Sequence, residues 1–239
     1  MKKTMIAKLV AASLVAGFGS AQAAISDNEV RIGVLTDLSG IYSAIEGPGA
    51  VTAAKMAVKD FGGKVLGKNI VVTSADTQSK ADLSGSKARE MFEKDKVDMI
   101  VGNVSTASAL AAMEVAEQKG KISIVTGAAS LPITNEKCHA TNIHYVYDTY
   151  ALSRGTGKAV VDTGKKTWFF VTADYAFGHT LERDTTEVIN ANGGNLVHRL
   201  SVWPMPVVTP SARSSRLQNW ASWALSRRLF PCSCLSPTF

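Results

Sequence analysis

Short apolar runs alternate with segments of helical spacing along most of this chain, and this alternation restricts its fold more than any other feature. Four such runs begin at Val30, Asn69, Val97 and Lys121. They end in small or polar residues, which is typical of buried parallel strands. Helical segments separate them, over 47–63, 81–96 and 105–120. This order predicts a parallel sheet covered by helices on both faces, with right-handed crossovers.

The same alternation begins again after about Asn142, which predicts a second α/β lobe. A tyrosine-rich stretch without helical period, 142–151, precedes a predicted helix over 151–164. A buried strand, a helix and the start of another strand follow, over 165–178, 179–194 and 195–197.

The periodic pattern ends after Val197. The remaining residues contain no acid, five of the seven prolines and three of the four tryptophans, and they sustain neither strand nor helix period. We therefore predict a first lobe over 24–142 and a hinge crossing with the start of a second lobe over 143–197. We expect 198–239 to be an aberrant, non-native tail, as truncation or a shift of reading frame would produce.

The first 23 residues have the organisation of a secretory signal peptide. Lys2 and Lys3 form a positive start, an apolar run from Leu9 is too short to span a membrane, and Ala21-Gln22-Ala23 is a cleavage site of the A-x-A type. In a bacterium, cleavage after Ala23 predicts export to the periplasm.

The net charge of +6 does not indicate a nucleic-acid-binding protein, because the positive charge lies near the two ends. Eight of the 26 basic residues fall within the first 8 or the last 41 residues. The part between them holds 18 basic and 20 acidic residues. Clustered positive charge on a folded region, which nucleic-acid binding requires, is absent from this sequence pattern.

Three short motifs that resemble catalytic or ligand sites have structural interpretations. The D-T-G at 162–164 falls at a predicted helix end, where Gly164 is a natural cap. The G-K-K-T that begins at Gly164 lacks the spacing of a phosphate loop. Cys138, His139 and His144 lack further ligands at metal spacing. We expect no metal, no cofactor and no enzymatic activity.

Candidate ligand-binding residues follow the predicted strands, because open parallel sheets bind ligands beyond the carboxyl ends of their strands. These residues are Ser39 and Tyr42, Ser105 and Thr106, Ala128 and Ser130, and Tyr175. Hydroxyls at a helix start can donate to a carboxylate, and small residues let a ligand reach backbone amides. The set suits a small zwitterion or carboxylate, although each member also fits a helix cap or turn.

Four segments in this order resemble the leucine/isoleucine/valine-binding family of periplasmic proteins, the type I solute receptors of ABC importers. They are DLSGIYSAIEGPG, VGNVSTASA, VTGAAS and FFVTADYAFG, and the resemblance covers about residues 29–197. It implies a type I periplasmic-binding-protein fold with two doubly wound parallel-sheet lobes, the second incomplete here. It also implies a small ligand between the lobes and an inner-membrane ABC permease as partner. Because the second lobe is incomplete, we expect this chain to be a defective, truncated form of such a receptor.

The resemblance assigns roles to the candidate residues. Thr106, or Ser105, would hold the ligand carboxylate, Ala128 would contribute a backbone contact and Ser130 a hydroxyl. Tyr42 and Tyr175 would border the cleft on its two sides, and Tyr150 would lie near the first crossing between lobes.

The ligand itself stays open. An amino acid, an aromatic acid, an amide or urea all fit, and a ligand sensor or amide-responsive receptor of the same fold is the alternative function. The family's second-lobe acid would lie beyond Val197, where nothing matches.

Overall fold

The computed structural model describes residues 27–202. The predicted signal peptide and the predicted tail from residue 203 onward lie outside these residues. Among the helices that are described, none combines the length and apolarity that crossing a membrane requires.

The first lobe is built on a six-stranded sheet. Its strands are β1 (Glu29–Thr36), β2 (Lys64–Val65), β3 (Lys68–Asp76), β4 (Met99–Gly102), β5 (Ile122–Val125) and β6 (Asn142–His144). Their spatial order is β2-β3-β1-β4-β5-β6, and all neighbours are parallel except β2, which forms an antiparallel edge with β3. The predicted parallel sheet is confirmed, and β1 occupies a central position in it.

Three helices connect these strands: α1 (Gly47–Asp60), α2 (Ala81–Glu93) and α3 (Thr106–Gln118). Helices α2 and α3 pack together over β1 and β4, where Leu35, Ile100 and Ala112 are fully buried in one apolar cluster. Val51, Ala54 and Val58 form the half-buried apolar face of helix α1. Phe61, just after its end, is 67% exposed, because the half-buried face ends one turn earlier.

The tyrosine-rich stretch is more regular than its sequence predicts. Asn142–His144 form β6, which extends the first sheet by pairing with β5. Helix α4 (Thr149–Leu152) begins earlier than predicted, because the Asp148 side chain accepts a hydrogen bond from the amide of Ala151 at 2.9 Å.

The helix predicted over 151–164 is interrupted. A π-helical turn (Ser153–Gly157) separates α4 from α5 (Lys158–Asp162). Gly164 has φ +87° and its amide bonds to the carbonyl of Val161, so the D-T-G sequence ends a helix as predicted.

The described part of the second lobe contains β7 (Thr167–Ala173), α6 (Ala176–Ala191) and β8 (Asn195–Val202). Strands β7 and β8 pair in parallel, so β8 continues five residues past the predicted end of the regular pattern at Val197. Val171 and Val197 are 62% and 53% exposed, which leaves apolar surface on this two-stranded sheet. The domain boundaries themselves stay predictions.

Candidate functional site

Neighbouring strand ends in the first lobe form one side of the candidate site. Strands β1, β4 and β5 are adjacent and parallel, so the loops that follow them meet at one edge of the sheet. The six first-lobe candidates lie on these loops or at the start of α3: Ser39, Tyr42, Ser105, Thr106, Ala128 and Ser130. The topology therefore brings together residues that are up to 91 positions apart in sequence.

Thr106 and Ser130 carry buried hydroxyls without a protein partner. They are 1% and 0% exposed, and neither hydroxyl has a hydrogen-bond partner within residues 27–202. Ser105 occupies the N-cap position of α3, but its side chain does not cap the helix. An unsatisfied buried hydroxyl costs about 1–3 kcal/mol. Two of them at adjacent strand ends are groups that a bound ligand would satisfy.

Ala128 uses its carbonyl oxygen inside the first lobe. That oxygen lies 2.8 Å from Nε2 of His144, and Nδ1 of the same ring lies 2.7 Å from the Thr134 hydroxyl. Because a carbonyl only accepts, Nε2 carries the proton. The predicted backbone contact of Ala128 with a ligand stays a prediction. His144 is the last residue of β6.

Two carboxylates shape the loop after β1. Buried Asp37 accepts hydrogen bonds from the amides of Gly40 and Tyr42 and from the Ser79 hydroxyl. Asp76 accepts from the Ser39 hydroxyl at 2.5 Å. Burial acts to raise the pKa of Asp76, but hydrogen bonds from Ser39 and from backbone amides outweigh it and lower that pKa. Ser39 is thus engaged in holding this loop.

The hydroxyls of Tyr42 and Tyr175 meet between the lobes. The two hydroxyls share a hydrogen bond of 2.6 Å, and the two ring centroids are 6.3 Å apart. Tyr175 precedes α6, so the contact joins the β1 loop to the second lobe. Burial, together with the hydrogen bond to Tyr42, raises the pKa of Tyr175 above its ordinary value, so this phenol stays neutral.

A second contact between the lobes begins next to Ser130. The amide of Leu131 donates to the Thr149 hydroxyl at 3.1 Å, and that hydroxyl donates to Asp184 of α6 at 2.6 Å. Asp184 is 6% exposed and also accepts two hydrogen bonds from Arg183. The relay connects the loop after β5 to the second lobe.

Tyr150 lies apart from the tyrosine pair. It is 48% exposed, and the guanidinium of Arg154 lies 4.4 Å from its ring centroid. With Leu131 and Asp184 it lines a cavity of about 410 Å³ beside α6. Its role in ligand binding stays a prediction.

Glu46 is the residue of this site that the sequence analysis missed. It stands at the N-cap position of α1 but does not cap that helix. Instead it accepts hydrogen bonds from the hydroxyls of Thr36 at 2.9 Å and Thr126 at 3.0 Å. Burial raises its pKa, and the charge of Asp37 adds to this, while the two threonine hydrogen bonds oppose it. The sequence signal that could have identified Glu46 is an acidic residue directly before a helix that starts with Gly-Pro.

We expect the wild-type chain to lose stability relative to Glu46→Gln as the pH rises above 4.5. The raised pKa means that the folded state keeps this proton after the unfolded chain has released it near the ordinary value of 4.5. The proton therefore stabilises the fold fully below that pH, and its contribution is lost as the pH rises through the folded-state pKa.

Urea unfolding at a series of pH values measures this effect. Other carboxylates titrate in both proteins, so their contributions cancel in the difference. A difference in unfolding free energy that stays constant with pH would contradict the expectation.

The described residues offer one cluster of metal-ligating type, outside the cleft. Ligand atoms of Glu114, Glu117 and His139 lie within 4.8 Å of one another. The two glutamates are exposed, and Nδ1 of His139 lies 2.7 Å from Glu117, so a contact between the imidazole and this carboxylate accounts for the arrangement. Cys138 and His144 do not join it.

The fold and the strand-end site define a type I periplasmic-binding-protein fold, in which a small ligand is held between two α/β lobes. The chain belongs to the periplasmic binding protein family, whose model matches residues 29–205. Members of this family are non-enzymatic solute-binding proteins of ABC transporters, and the family implies a periplasmic location. The family predicted from sequence and the absence of an enzymatic role are thereby confirmed.

Several solved structures are similar to the described fold. A periplasmic binding protein from Burkholderia mallei is 46% identical, with a TM-score of 0.74, over 83% of this chain and 51% of that one. A branched-chain amino acid ABC transporter periplasmic ligand-binding protein from Burkholderia xenovorans is 33% identical, with a TM-score of 0.67, over 83% and 50%.

A third similar structure contains a ligand. It is an ABC transporter solute-binding protein from Rhodopseudomonas palustris in complex with 3,4-dihydroxybenzoic acid, 28% identical, with a TM-score of 0.65, over 74% of this chain and 48% of that one. The chain thus spans about half the length of these proteins. No curated protein matches it.

Proposed function

We propose that this chain is the solute-binding receptor of an ABC importer and holds a small amino acid or aromatic acid for delivery to an inner-membrane permease. One observation carries the proposal. The hydroxyls of Thr106 and Ser130 are buried at neighbouring strand ends and have no partner in the described structure. In a receptor, the ligand supplies that partner.

A carboxylate is the ligand group that best fits these donors. Thr106 is the first residue of α3, and the N-terminal end of a helix favours negative charge. The B. xenovorans relative is named for branched-chain amino acids, and the R. palustris structure contains a benzoic acid. Both kinds of compound have a carboxylate on an apolar body.

The proposed organisation follows the sequence boundaries. A signal peptide over 1–23 is removed on export, a first lobe over 24–142 carries the carboxylate donors, and 143–197 begin the second lobe. Tyr42 and Tyr175 close one side of the cleft, and domain closure of this kind is a hinge motion biased by the ligand.

A thermal-shift panel on the full chain tests the ligand class. The probes are L-leucine, L-valine, benzoate and 4-hydroxybenzoate, each paired with its amide as a matched control. A ligand at about 100 times its Kd stabilises by about 2.7 kcal/mol, which raises Tm by several degrees. We expect a shift with at least one acid and none with its amide.

The other outcomes separate the alternatives. A shift with the amides alone would favour an amide-responsive receptor, and no shift with any probe would contradict the proposed ligand class. Ligand-stimulated uptake in membranes that contain the cognate permease distinguishes an importer from a sensor.

A further inference from the structure

We propose that Glu46 is a positioning residue whose carboxyl group ties the end of β1 to the end of β5 and so sets the spacing of the loops that form the first-lobe side of the cleft. The significance of this spacing for a ligand rests on the proposed function. The connection between the two strands, and the experiment that tests it, do not depend on that function.

The two hydrogen bonds of Glu46 join strands that are not neighbours. Thr36 is the last residue of β1, and Thr126 directly follows β5. Strand β4 lies between them, so they are separated by two strand spacings, about 9–10 Å. The backbone ladder cannot connect β1 to β5 directly. The Glu46 side chain does so, with one oxygen for each threonine.

The backbone after β5 packs closely against this carboxyl. A Cβ atom added at Gly127 would lie 2.8 Å from Oε1 of Glu46 and 2.8 Å from Cα of Val104. Only glycine fits at this approach without a shift of its surroundings. The loop that leads to Ser130 therefore rests on Glu46 on one side and on the β4 exit on the other.

Glu46 also closes the loop that carries Tyr42, because its amide donates a hydrogen bond to the Tyr42 carbonyl at 3.1 Å. It ends the segment that begins with Asp37, and the next residue, Gly47, packs against the carbonyl oxygen of Asp37. Asp37 is the charged group beside Glu46, whereas Thr126, Gly127 and Val104 on the other elements are uncharged.

Hydrogen exchange measured by mass spectrometry on the full chain tests the tie without any ligand. In Glu46→Ala we expect exchange of amides in 37–46 and 126–131 to rise about tenfold, because both loops lose their shared anchor. Exchange in α2 and β3 should stay unchanged. In Glu46→Gln we expect recovery toward wild type, because the amide can accept from one threonine and donate to the other.

Thr126→Val is the milder variant and is informative even if Glu46→Ala does not fold. It removes one bond of the tie, so exchange should rise in 126–131 but not in 37–46. A rise spread evenly over all segments, in proportion to a loss of global stability, would show that Glu46 only stabilises the lobe. No change in either loop would also overturn the proposal.

Failure of this test and failure of the proposed function are distinguishable. If hydrogen exchange rises in both loops of Glu46→Ala but no probe shifts Tm, only the proposed ligand class is contradicted. A response to the panel with unchanged exchange in Glu46→Ala would contradict only the positioning role.

Discussion

Replacing Gly102 with alanine should reduce the free energy of unfolding by about 3–5 kcal/mol, a large part of a typical domain's stability. Gly102 ends β4 with φ +118°, a conformation that side chains rarely adopt. An added Cβ would lie 2.6 Å from the carbonyl oxygen of Leu35 on β1. Because both partners are backbone in the central strands, neither can move aside without disturbing the sheet.

Two matched glycines separate the causes of this loss. Gly120 has φ +61° but open space around it, so Gly120→Ala should cost only about 1–2 kcal/mol, the backbone term alone. Gly85 lies inside α2 with its nearest neighbour at 3.7 Å, so Gly85→Ala should be neutral or stabilising by up to about 1 kcal/mol. Urea denaturation followed by circular dichroism measures all three. Equal losses at Gly102 and Gly120 would refute the steric argument.

Replacing Thr106 with valine should reduce ligand affinity about 10–100-fold and leave the stability of the unliganded chain unchanged or higher. Valine keeps the shape of threonine and removes only the hydroxyl. That hydroxyl is buried without a protein partner, so its loss costs the empty protein nothing. In the complex it would donate to a carboxylate, and such a bond contributes about 1.5–3 kcal/mol.

Ser84→Ala provides the opposite control. The Ser84 hydroxyl is also buried, but it bonds to Oδ1 of Asn103 and to the carbonyl of Ser108. Its removal should lower stability by about 1–2 kcal/mol without a comparable loss of affinity. Calorimetric titration with the acid that gives the largest thermal shift measures the affinities. Unchanged affinity in Thr106→Val, with reduced stability, would assign that hydroxyl to the fold.

The alternation of apolar runs and helical segments determined the class of fold and most of the regular elements. β1, β3, β4 and β5 each contain a run that local pattern identifies, because a strand buried on both faces must be apolar along its length. The rule that ligands bind beyond strand ends then selected Thr106 and Ser130, and the resemblance to a known family supplied their roles. Both steps use only neighbouring residues and their order.

Elements and contacts that depend on residues distant in sequence could not be predicted from local sequence pattern. β2 and β6 have two and three residues, too few to show a period, and they exist because an adjacent strand pairs with them. In the tyrosine-rich stretch, β6 and the start of α4 could not be predicted because each is too short to show a period. The resemblance placed Tyr150 near the first crossing between the lobes, but only packing brings the guanidinium of Arg154 over its ring.

The sequence by itself determined the α/β alternation and the candidate strand ends, because periodicity and residue order are local properties of the chain. Its resemblance to a known family supplied the type I architecture and the solute-receptor class. Tertiary structure alone decided that Glu46 bonds to Thr126, 80 positions away, and that Tyr42 meets Tyr175, 133 positions away. Each of these bonds depends on how strands and lobes are placed in space. A hydrogen-bond partner chosen by packing leaves no pattern in the residues on either side of it.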